Sequence, residues 1–416
     1  MLFLLLNRQI VYSPLIDKNF LLKGKMRRVC VVVFSYFPDD PRVKRETDAL
    51  VQEKMQVVVL CLCHKNEKRE EYVHGARIIR MNLQRKRHSK FRYLFEYFAF
   101  ISWATIKTIR LSFTRKFNLM HIHNMPDLLV ISSVWPRIFG AKVILDLHDP
   151  MPEVFMSKYN IDRSHVAIRF LELLERFSIR CSDIVLTPNI AFRKLFIARD
   201  CPPEKIFIIM NSPQNETFES ARASVAEDFN LKDRRFKLMY HGTIVERHGL
   251  DLALESIAIL REKIPMISFH VFGSGDCFVK KFLSLIKELM LEDIVVYHGF
   301  VPLKRIAQII KFIDVGIIPN RLTPFTDINL PTRIFEYLYQ KKPVIAPKTQ
   351  GILDYFDDDS LFLFRPGCVD SLTETITKVY EDVTNLKRVV EQGYGVYCRH
   401  CWDIQKSNFI RLIDRI

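Results

Sequence analysis

The chain has 416 residues, of which 49% are hydrophobic and 26% are charged, and it carries a formal net charge of +15. This length exceeds one typical domain and suits two domains of about 200 residues each. The composition is typical of a globular protein with enough apolar residues for a core, so it excludes an intrinsically disordered chain.

The first 25 residues are predicted to be an extension outside the fold. Their opening run, MLFLLL, is shorter than the apolar region of a signal peptide, and no small-residue cleavage site follows it. Met26 stands just before a basic pair and a predicted strand. We therefore expect the folded part of the chain to begin at this methionine.

From residue 28 onward, predicted strands and helices alternate. Continuous apolar runs, which are typical of strands covered on both faces, occur at 28–37, 55–63, 118–124, 141–149 and 182–189. Amphipathic stretches such as 42–53 and 165–181 fill the gaps between them. The pattern predicts an α/β domain over residues 26–212 with a doubly wound parallel sheet.

The segment from Arg85 to Lys116 holds nine Lys or Arg residues and one acid, Glu96. Its uncharged middle, 97–106, is too short to span a bilayer. The segment fits either a helix lying on an anionic membrane surface or a core helix whose cationic ends reach the solvent. No nucleic-acid recognition motif accompanies the charge, so nucleic acid is not an expected partner.

The nine cysteines are odd in number and scattered, which favours a reduced, cytoplasmic protein over a disulfide framework. Attachment to the inner face of the cell membrane through residues 85–116 would make this cytoplasmic protein a peripheral membrane protein.

A polar stretch at 211–235 interrupts the alternation of strands and helices. The pattern then resumes with apolar runs at 236–243, 267–275, 294–300, 314–320 and 343–347. We predict a second Rossmann-like domain over residues 213–398. A C-terminal helix within 399–416 is expected to cross back to the first domain.

Glycines mark the predicted strand ends of the second domain. Glycine accounts for 13 of the 416 residues, and five of these lie between positions 242 and 299. They are Gly242, Gly249, Gly273, Gly275 and Gly299. Glycine at a strand end lets backbone amides approach a phosphate, although a tight turn also requires glycine for purely steric reasons. If a diphosphate is bound, the second domain is predicted to bind it.

One acidic residue, Glu336, interrupts the apolar run from 329 to 347. Pro331 suits the first turn of a helix, which would place Glu336 about one and a half turns inside that helix. A carboxylate at this point can accept hydrogen bonds from two neighbouring ribose hydroxyls. A solvated ion pair with Arg333 is the alternative.

His121 and His123 lie two residues apart on a predicted strand and therefore share one face. Two such histidines could ligate a metal, but no third ligand is indicated, so no metal is predicted. His148 and Asp149 follow the end of the next strand, where Asp149 would either cap a helix or border a site.

Arg42 and Arg45 open the helix after the first strand, where cations are unfavourable against the helix dipole. A phosphate of an acceptor or donor in the cleft would offset that cost.

Seven segments together resemble glycosyltransferase family 4. They are SYFPDDPRVKRE (35–46), HIHNMPDLLV (121–130), ILDLHDPMPE (144–153), YHGTIVERHGLDLALE (240–255), VFGSGD (271–276), HGFVPLKRI (298–306) and NLPTRIFEYLYQKKPVIAP (329–347). The resemblance extends from about residue 28 to 400. It implies a GT-B fold, in which two Rossmann-like domains face each other across a cleft, and a retaining enzyme that uses a nucleotide-sugar donor without a metal or other cofactor.

The resemblance implies donor-binding roles for several residues of the second domain. Glu336 would bind the ribose hydroxyls, and the strand-end glycines Gly242, Gly273 and Gly275 would lie at the donor. Thr243 stands where relatives often have arginine, so the diphosphate is assigned to Arg247 and Arg333. The family's first acid, eight residues before Glu336, is Ile328 here, and Asp327 is the candidate substitute.

In the first domain the resemblance implies catalytic roles. His123 would face the donor sugar and its phosphate and polarise the leaving group. His148 and Asp149 would border the acceptor and the sugar.

The implied function is transfer of a sugar from a nucleotide-sugar donor to a glycan acceptor, expected to be lipid-linked, with retention of the anomeric configuration. Two alternatives stay open. One is a GT-B scaffold that binds a donor without turnover, which Thr243 and the missing first acid would allow. The other is a nucleotide-sugar epimerase on the same fold. The sequence offers no convincing pair of carboxylates of the kind that retaining glycosidases use.

Overall fold

The computed structural model describes residues 26–85, 90–114, 116–214, 218, 228–229, 231–275 and 277–416. Within them the chain forms two separate, largely parallel sheets covered by helices, so the predicted α/β class is confirmed. The predicted extension at 1–25 lies outside the described residues, as does most of the polar stretch at 211–235.

The first domain is built on a sheet that has, among the described residues, eight strands in the order β3-β4-β2-β1-β5-β6-β7-β8. The strands are β1 (Arg28–Tyr36), β2 (Gln56–Leu62), β3 (Glu70–Val73), β4 (Ala76–Met81), β5 (Leu119–His123), β6 (Lys142–Asp146), β7 (Ile184–Thr187) and β8 (Ile206–Ile208). All neighbouring pairs are parallel except β3 and β4. Alternate residues of β1 enter the hydrophobic cores on opposite faces of the sheet, which is why this strand reads as a continuous apolar run.

Helices cover both faces of this sheet. They are α1 (Pro41–Gln52), α2 (Lys90–Thr114), α3 (Val134–Ile138), α4 (Met151–Tyr159), α5 (Val166–Arg180) and α6 (Ile190–Ala198). Helix α1 begins with a side-chain cap, because the carboxylate of Asp40 accepts a hydrogen bond from Arg42 N, and Pro41 occupies the first helical position.

The second domain is built on a sheet of six described strands, all parallel, in the order β11-β10-β9-β12-β13-β14. They are β9 (Phe236–His241), β10 (Ile267–Phe272), β11 (Val295–Gly299), β12 (Val315–Ile317), β13 (Val344–Pro347) and β14 (Phe362–Phe364). The helices that follow along the chain are α7 (Leu250–Leu260), α8 (Phe278–Glu288), α9 (Leu303–Ile309), α10 (Pro324–Ile328), α11 (Arg333–Tyr339), α12 (Gln350–Leu353), α13 (Val369–Glu381), α14 (Val383–Arg399) and α15 (Trp402–Asp414).

The sequence patterns did not predict four of the strands, β3, β4, β8 and β14. β8 and β14 are three residues long, and the predicted apolar runs did not include them. The antiparallel hairpin of β3 and β4 turns at His74 and Gly75, both with positive φ angles of 50° and 85°. β3 is an edge strand with the polar sequence EEYV, so it lacks the apolar signal on which the prediction depended.

Helix α2 has one buried and one exposed apolar face. Tyr97, Phe100 and Ala104 pack in the core of the first domain, whereas Phe98 and Phe113 are exposed to solvent. The buried face agrees with the core-helix alternative, and the membrane-surface alternative stays a prediction. None of the described helices combines the length and the apolar composition needed to cross a bilayer.

The last helix, α15, packs against the first domain although it follows the second domain in sequence. Phe409 and Leu412 enter the same core as Val29 and Val31 of β1. At the end of the helix, Arg27 Nη1 donates a hydrogen bond of 2.7 Å to the carbonyl oxygen of Ile413. The fold of the first domain therefore includes the C-terminal segment.

Shortening a buried side chain of α15 is expected to destabilise the first domain. Ile413 is 1% exposed, so Ile413→Val should lower the free energy of unfolding by about 1 kcal/mol. Urea unfolding followed by circular dichroism measures this change. The matched control is Ile404→Val in the same helix, where the side chain is 40% exposed and the expected change is close to zero. Equal effects of the two variants would contradict the packing of α15.

Strand order reverses once in each sheet, between β1 and β5 and between β9 and β12. Ligands of open parallel sheets bind beyond the carboxyl ends of the strands at this point. The residues that follow β1, β5, β6 and β9 are therefore expected to border a ligand-binding site.

Candidate functional site

The two domains contact each other beside these strand ends. Ser157 Oγ of α4 accepts a hydrogen bond of 3.0 Å from Phe325 N at the start of α10. Asn189 Nδ2 donates to the carbonyl oxygen of Ile328 at 3.3 Å. Lys194 Nζ lies 2.7 Å from Asp354 Oδ1. These contacts close one side of the cleft and bring the strand ends of both domains toward a common space.

Two histidines meet at the ends of β5 and β6. His123 Nδ1 lies 3.0 Å from His148 Nε2, and the two rings are nearly parallel. His123 is fully buried, whereas His148 is 4% exposed and its backbone N–H donates to Asn124 Oδ1. His123, predicted to face the donor sugar, thus contacts His148, and its proposed contact with a donor stays a prediction.

Burial keeps both histidines uncharged at neutral pH. Burial lowers the pKa of His148 to about 4, and it lowers the pKa of His123 well below its usual value. Burial opposes ionisation of Asp146, but the adjacent histidines outweigh it and hold the pKa of Asp146 well below its usual range. The group therefore pairs a carboxyl group of low pKa with imidazole rings, each of which in its neutral form can donate one hydrogen bond and accept another.

Asp149 lies at the cleft and does not cap a helix. The cap residue of α4 is Pro150, without a side-chain hydrogen bond, so the capping alternative is wrong. Burial raises the pKa of Asp149, while the positive charges of Arg42 and Arg247 lower it. Because Arg247 belongs to the second domain and Arg42 to the first, the two domains place cations near the same carboxylate.

The two arginines that open α1 have partners within the chain. Arg42 Nε lies 3.3 Å from Asp40 Oδ1, so the capping aspartate supplies the negative charge at this helix start. Arg45 is buried; its guanidinium donates to Ser212 O at 3.2 Å and lies 5.1 Å from the ring centroid of Trp402. Neither arginine needs a phosphate to offset the helix dipole, and their role toward a ligand stays a prediction.

In the second domain, Glu336 is buried at the mouth of the cleft. It lies in the first turn of α11 rather than deeper, because the helix begins at Arg333 and Pro331 precedes its cap residue, Thr332. Glu336 Oε2 lies 3.2 Å from His241 Nε2 at the end of β9. The two atoms are not in hydrogen-bond geometry, and among the described residues neither has a hydrogen-bond partner.

This burial changes the protonation of both groups. Burial raises the pKa of Glu336 to about 7, against the opposing charges of Arg333 and Arg45. Burial and the charge of Arg333 lower the pKa of His241 to about 3. The pair therefore consists of a neutral imidazole and a carboxyl group that titrates near neutral pH.

Arg333 lies against the end of β9. Its Nη1 donates 2.7 Å to the carbonyl oxygen of His241, and its guanidinium lies 4.7 Å from the ring centroid of Tyr240. Arg247 lies in a short 3-10 helix, Glu246–His248, 5.8 Å from the ring of Phe325. The two predicted phosphate-binding arginines thus belong to the same corner of the second domain.

The glycines at the strand ends are required by packing. A Cβ atom at Gly273 would lie 1.8 Å from Gly242 O, and one at Gly275 would lie 1.8 Å from Ile244 O. A Cβ atom at Gly242 would meet Arg333 Nη1 at 2.8 Å. Two strand-end loops therefore pack backbone against backbone. The steric explanation accounts for these glycines, and their contact with a donor stays a prediction.

Asp327 has a structural partner. Its Oδ1 accepts a hydrogen bond of 3.2 Å from Gln350 N at the start of α12. The predicted role of Asp327 toward a sugar is therefore not needed to explain its position.

Sequence reasoning missed Asp40, Glu46, Asp146 and His241, which adjoin the predicted residues. Asp40 had a signal, because aspartate before proline is typical of a helix start. Asp146 ends the apolar run of β6, as His241 ends that of β9. Glu46 had no distinguishing signal, because an acid among the charged residues of an amphipathic helix is ordinary.

The two halves of the chain match two described families. Residues 40–212 match the glycosyl transferase 4-like domain, and residues 222–396 match glycosyl transferases group 1. A curated relative, the amylovoran biosynthesis glycosyltransferase AmsK of Erwinia amylovora, is 22% identical over 214 residues. The match covers 50% of this chain and 50% of that protein, so the chain spans about half the length of this curated relative.

Solved structures resemble nearly the whole chain. Sucrose-phosphate synthase from Thermosynechococcus elongatus is 15% identical with a TM-score of 0.75, over 94% of this chain and 98% of that one. Anabaena HepE in complex with UDP-glucose is 14% identical with a TM-score of 0.71, over 94% of this chain and 100% of that one. At such identities the likeness establishes a shared two-domain fold.

Proposed function

Because the chain belongs to the glycosyltransferases of the GT-B fold, with a 4-like first domain and a group 1 second domain, we propose that it transfers a sugar from a nucleotide-sugar donor to a glycan acceptor. The curated relative acts in amylovoran biosynthesis according to its name, which supports a polysaccharide or its lipid-linked precursor as the acceptor. The complex of HepE with UDP-glucose supports a nucleotide sugar as the donor.

The observation that carries this proposal is the buried oxygen of Glu336. An unpartnered carboxylate oxygen at the carboxyl edge of a parallel sheet is costly unless a ligand supplies hydrogen-bond donors. The two neighbouring hydroxyls of a ribose supply such donors. Glu336 therefore binds the ribose of the donor, with Gly242, Gly273 and Gly275 shaping the adjacent loops.

The diphosphate of the donor lies between cations of both domains. Arg247 and Arg333 reach it from the second domain, and Arg42 reaches it from the first. These fixed charges stabilise the negative charge that develops as the bond between sugar and phosphate breaks. No metal or other cofactor takes part in this step, because the guanidinium groups supply the positive charge.

The transfer proceeds with retention. The bond between the anomeric carbon and the phosphate oxygen breaks, the acceptor oxygen bonds to that carbon from the same face, and the acceptor proton passes to the leaving diphosphate. His148 and Asp149 border the sugar and orient the acceptor hydroxyl. His123 acts through His148, whose ring it holds in place. The protein thus contributes mainly positioning and charge stabilisation.

A donor-binding and product assay tests this function. Calorimetry with UDP-, GDP- and dTDP-sugars on the full chain should identify one donor that binds, and the anomeric proton coupling of the glycan product should report retention. Binding of a donor without transfer to any glycan would favour a scaffold. Conversion of the sugar without an acceptor would favour an epimerase. Failure to bind any nucleotide sugar would contradict the proposal.

Donor affinity is expected to fall as the pH falls from 8 to 6. The pKa of Glu336 is about 7, so its ionised form, which accepts the ribose hydrogen bonds, drops from about 90% to about 10% of the molecules over this range. His241 stays neutral, because its pKa is about 3. The dissociation constant should rise about tenfold in calorimetry. Glu336→Gln should show a flat profile, and an equal slope in the variant would contradict this assignment.

The lipid-linked acceptor places the protein at the inner face of the cell membrane. More than half of the exposed large apolar side chains of the described residues lie on α2, α3 and α5 or directly after α3. Phe113 of α2 contacts Trp135 of α3, and Arg137 of α3 donates to the carbonyl oxygen of Cys181 after α5, so the three helices form one continuous surface. Among the described residues of these three helices no acid is exposed, whereas five arginines are: Arg92, Arg110, Arg137, Arg169 and Arg180. This surface suits an anionic bilayer.

Phe98→Asp is expected to weaken binding to anionic vesicles about tenfold or more, because it removes an apolar side chain and adds a repelled charge. Flotation with phosphatidylglycerol vesicles measures the bound fraction. The matched control is Phe300→Asp, since Phe98 is 72% and Phe300 73% exposed and Phe300 lies in the second domain. Equal flotation of both variants, or a dimer formed through α2, would contradict a membrane role of this surface.

A further inference from the structure

Four side chains behind His148 form a buried cluster of metal-ligating groups. They are Glu46 of α1, His121 and His123 of β5, and Asp146 of β6, all at most 3% exposed. Each offers one ligand atom, and these four atoms lie within 4.8 Å of one another. The cluster combines two imidazoles with two carboxylates, which is a ligand set that divalent transition metals accept.

Three of the distances between these atoms, each involving an imidazole Nε2, are longer than a hydrogen bond and suit a shared ion. His121 Nε2 lies 3.6 Å from both Glu46 Oε2 and Asp146 Oδ2. His123 Nε2 lies 3.8 Å from Glu46 Oε2. A regular tetrahedron with edges of this length would have its centre about 2.2 Å from each corner, which is close to the length of zinc–nitrogen and zinc–oxygen bonds. The remaining edges of the cluster are at most 4.8 Å long.

Most of these atoms have no hydrogen-bond partner among the described residues. This holds for Glu46 Oε2, for both ring nitrogens of His121 and for His123 Nε2. Buried polar atoms without partners are rare in folded proteins and call for a specific explanation. One cation at the centre of the cluster would satisfy the unpartnered atoms that face it.

The surroundings of the cluster are consistent with an ion. His123 uses its other ring nitrogen, Nδ1, to contact His148 Nε2, which is the outer contact expected of a metal-bound histidine. The two nearby arginines are engaged elsewhere, since Arg42 pairs with Asp40 and Arg45 donates to Ser212 O. Neither arginine therefore donates to Glu46 Oε2, which has no hydrogen-bond partner among the described residues.

We propose that Glu46, His121, His123 and Asp146 bind one zinc ion that joins α1 to the central strands β5 and β6. All four positions around the ion are taken by protein atoms, so this is a structural site and takes no part in sugar transfer. The ion fixes the ring of His123 and, through it, the ring of His148 at the cleft. The histidine pair lacked a third ligand in sequence, and the fold supplies two, from positions 46 and 146.

Metal analysis and thermal unfolding of the full chain test the site. The protein purified without a polyhistidine tag should contain about one equivalent of zinc by plasma mass spectrometry. Removing the metal with a chelator should lower the melting temperature, and zinc in hundredfold excess over its dissociation constant should raise it by about 5 °C or more. Less than a tenth of an equivalent, with melting independent of zinc, would overturn the proposal.

Two variants locate the bound ion. His121→Asn and the nearly isosteric Glu46→Gln should each lose the zinc and its effect on melting. The matched control is His270→Asn in the second domain, because His270 is 1% exposed and its Nε2 also lacks a partner; this variant should keep both. Zinc retained by the folded Glu46→Gln variant would also overturn the proposal. If neither site variant folds, the metal content and chelator response of the natural chain decide the question.

Discussion

Replacing Glu336 by glutamine is expected to weaken binding of the nucleotide-sugar donor about 100-fold. Glu336 is 7% exposed and lies beside His241, whose pKa is lowered to about 3, so under the proposed function the two ribose hydroxyls are its hydrogen-bond donors. Hydrogen bonds to a charged group contribute about 1.5–3 kcal/mol each. Glutamine keeps one acceptor oxygen, but it loses the charge and turns an amide N–H group toward the second hydroxyl.

Calorimetry with the donor identified by screening measures this effect at pH 8, where Glu336 is ionised. Glu391→Gln, on α14 and paired with Lys341 at the surface, is the matched control and should bind the donor as the natural chain does. A dissociation constant of Glu336→Gln within threefold of the natural value would contradict the assignment of the ribose site.

Replacing Arg247 by alanine is expected to lower turnover about 100- to 1000-fold, with a smaller effect on donor affinity. Arg247 lies against Phe325 and near Asp149, so it faces the cleft between the domains. A fixed donor that stabilises charge in the transition state is worth about this factor in rate. Replacing Arg333 would be harder to interpret. Its Nη1 donates a hydrogen bond to the carbonyl oxygen of His241, so its loss would also disturb β9.

The rate of nucleoside diphosphate release measures this effect, with water as the acceptor where the glycan is not identified. Arg388→Ala is the control, because Arg388 lies on α14 and pairs with Asp359 at the surface. A change in KM alone, with kcat preserved, would assign Arg247 to ground-state binding. That result would contradict a role in stabilising the leaving group.

The strands that were predictable from sequence are those buried on both faces. β1 and β2 read as unbroken apolar runs because helices cover each side of the sheet. The hairpin of β3 and β4 was not predictable, since its edge strand is polar and the turn at His74 and Gly75 is a local signal that the apolar pattern does not contain. The two-domain α/β class follows from the long strands alone, and it is confirmed.

Residues of the candidate site could be predicted where a charged side chain stands within an apolar stretch of the sequence. Glu336 stands alone in an apolar helix, so the sequence singled it out, although a solvated ion pair with Arg333 stayed open as the alternative to a buried ligand site. Its neighbour His241 could not be paired with it, because 95 positions separate them and only the order of β9 and β12 brings them together. For the same reason the contacts of Arg45 with Ser212 and Trp402 could not be predicted, and its role toward a ligand stays a prediction.

The chain passes between the two domains twice, and the passages lie side by side. Ser212, in the first passage, donates its hydroxyl hydrogen bond to the carbonyl oxygen of His400, in the second. Two adjacent connecting segments at one edge are expected to form a hinge. Such a hinge permits rotation of one domain relative to the other about the line that joins the segments, and it resists twisting. We therefore expect the cleft to open widest on the side away from that line. Arg45, which contacts Ser212 and Trp402, lies at the expected hinge.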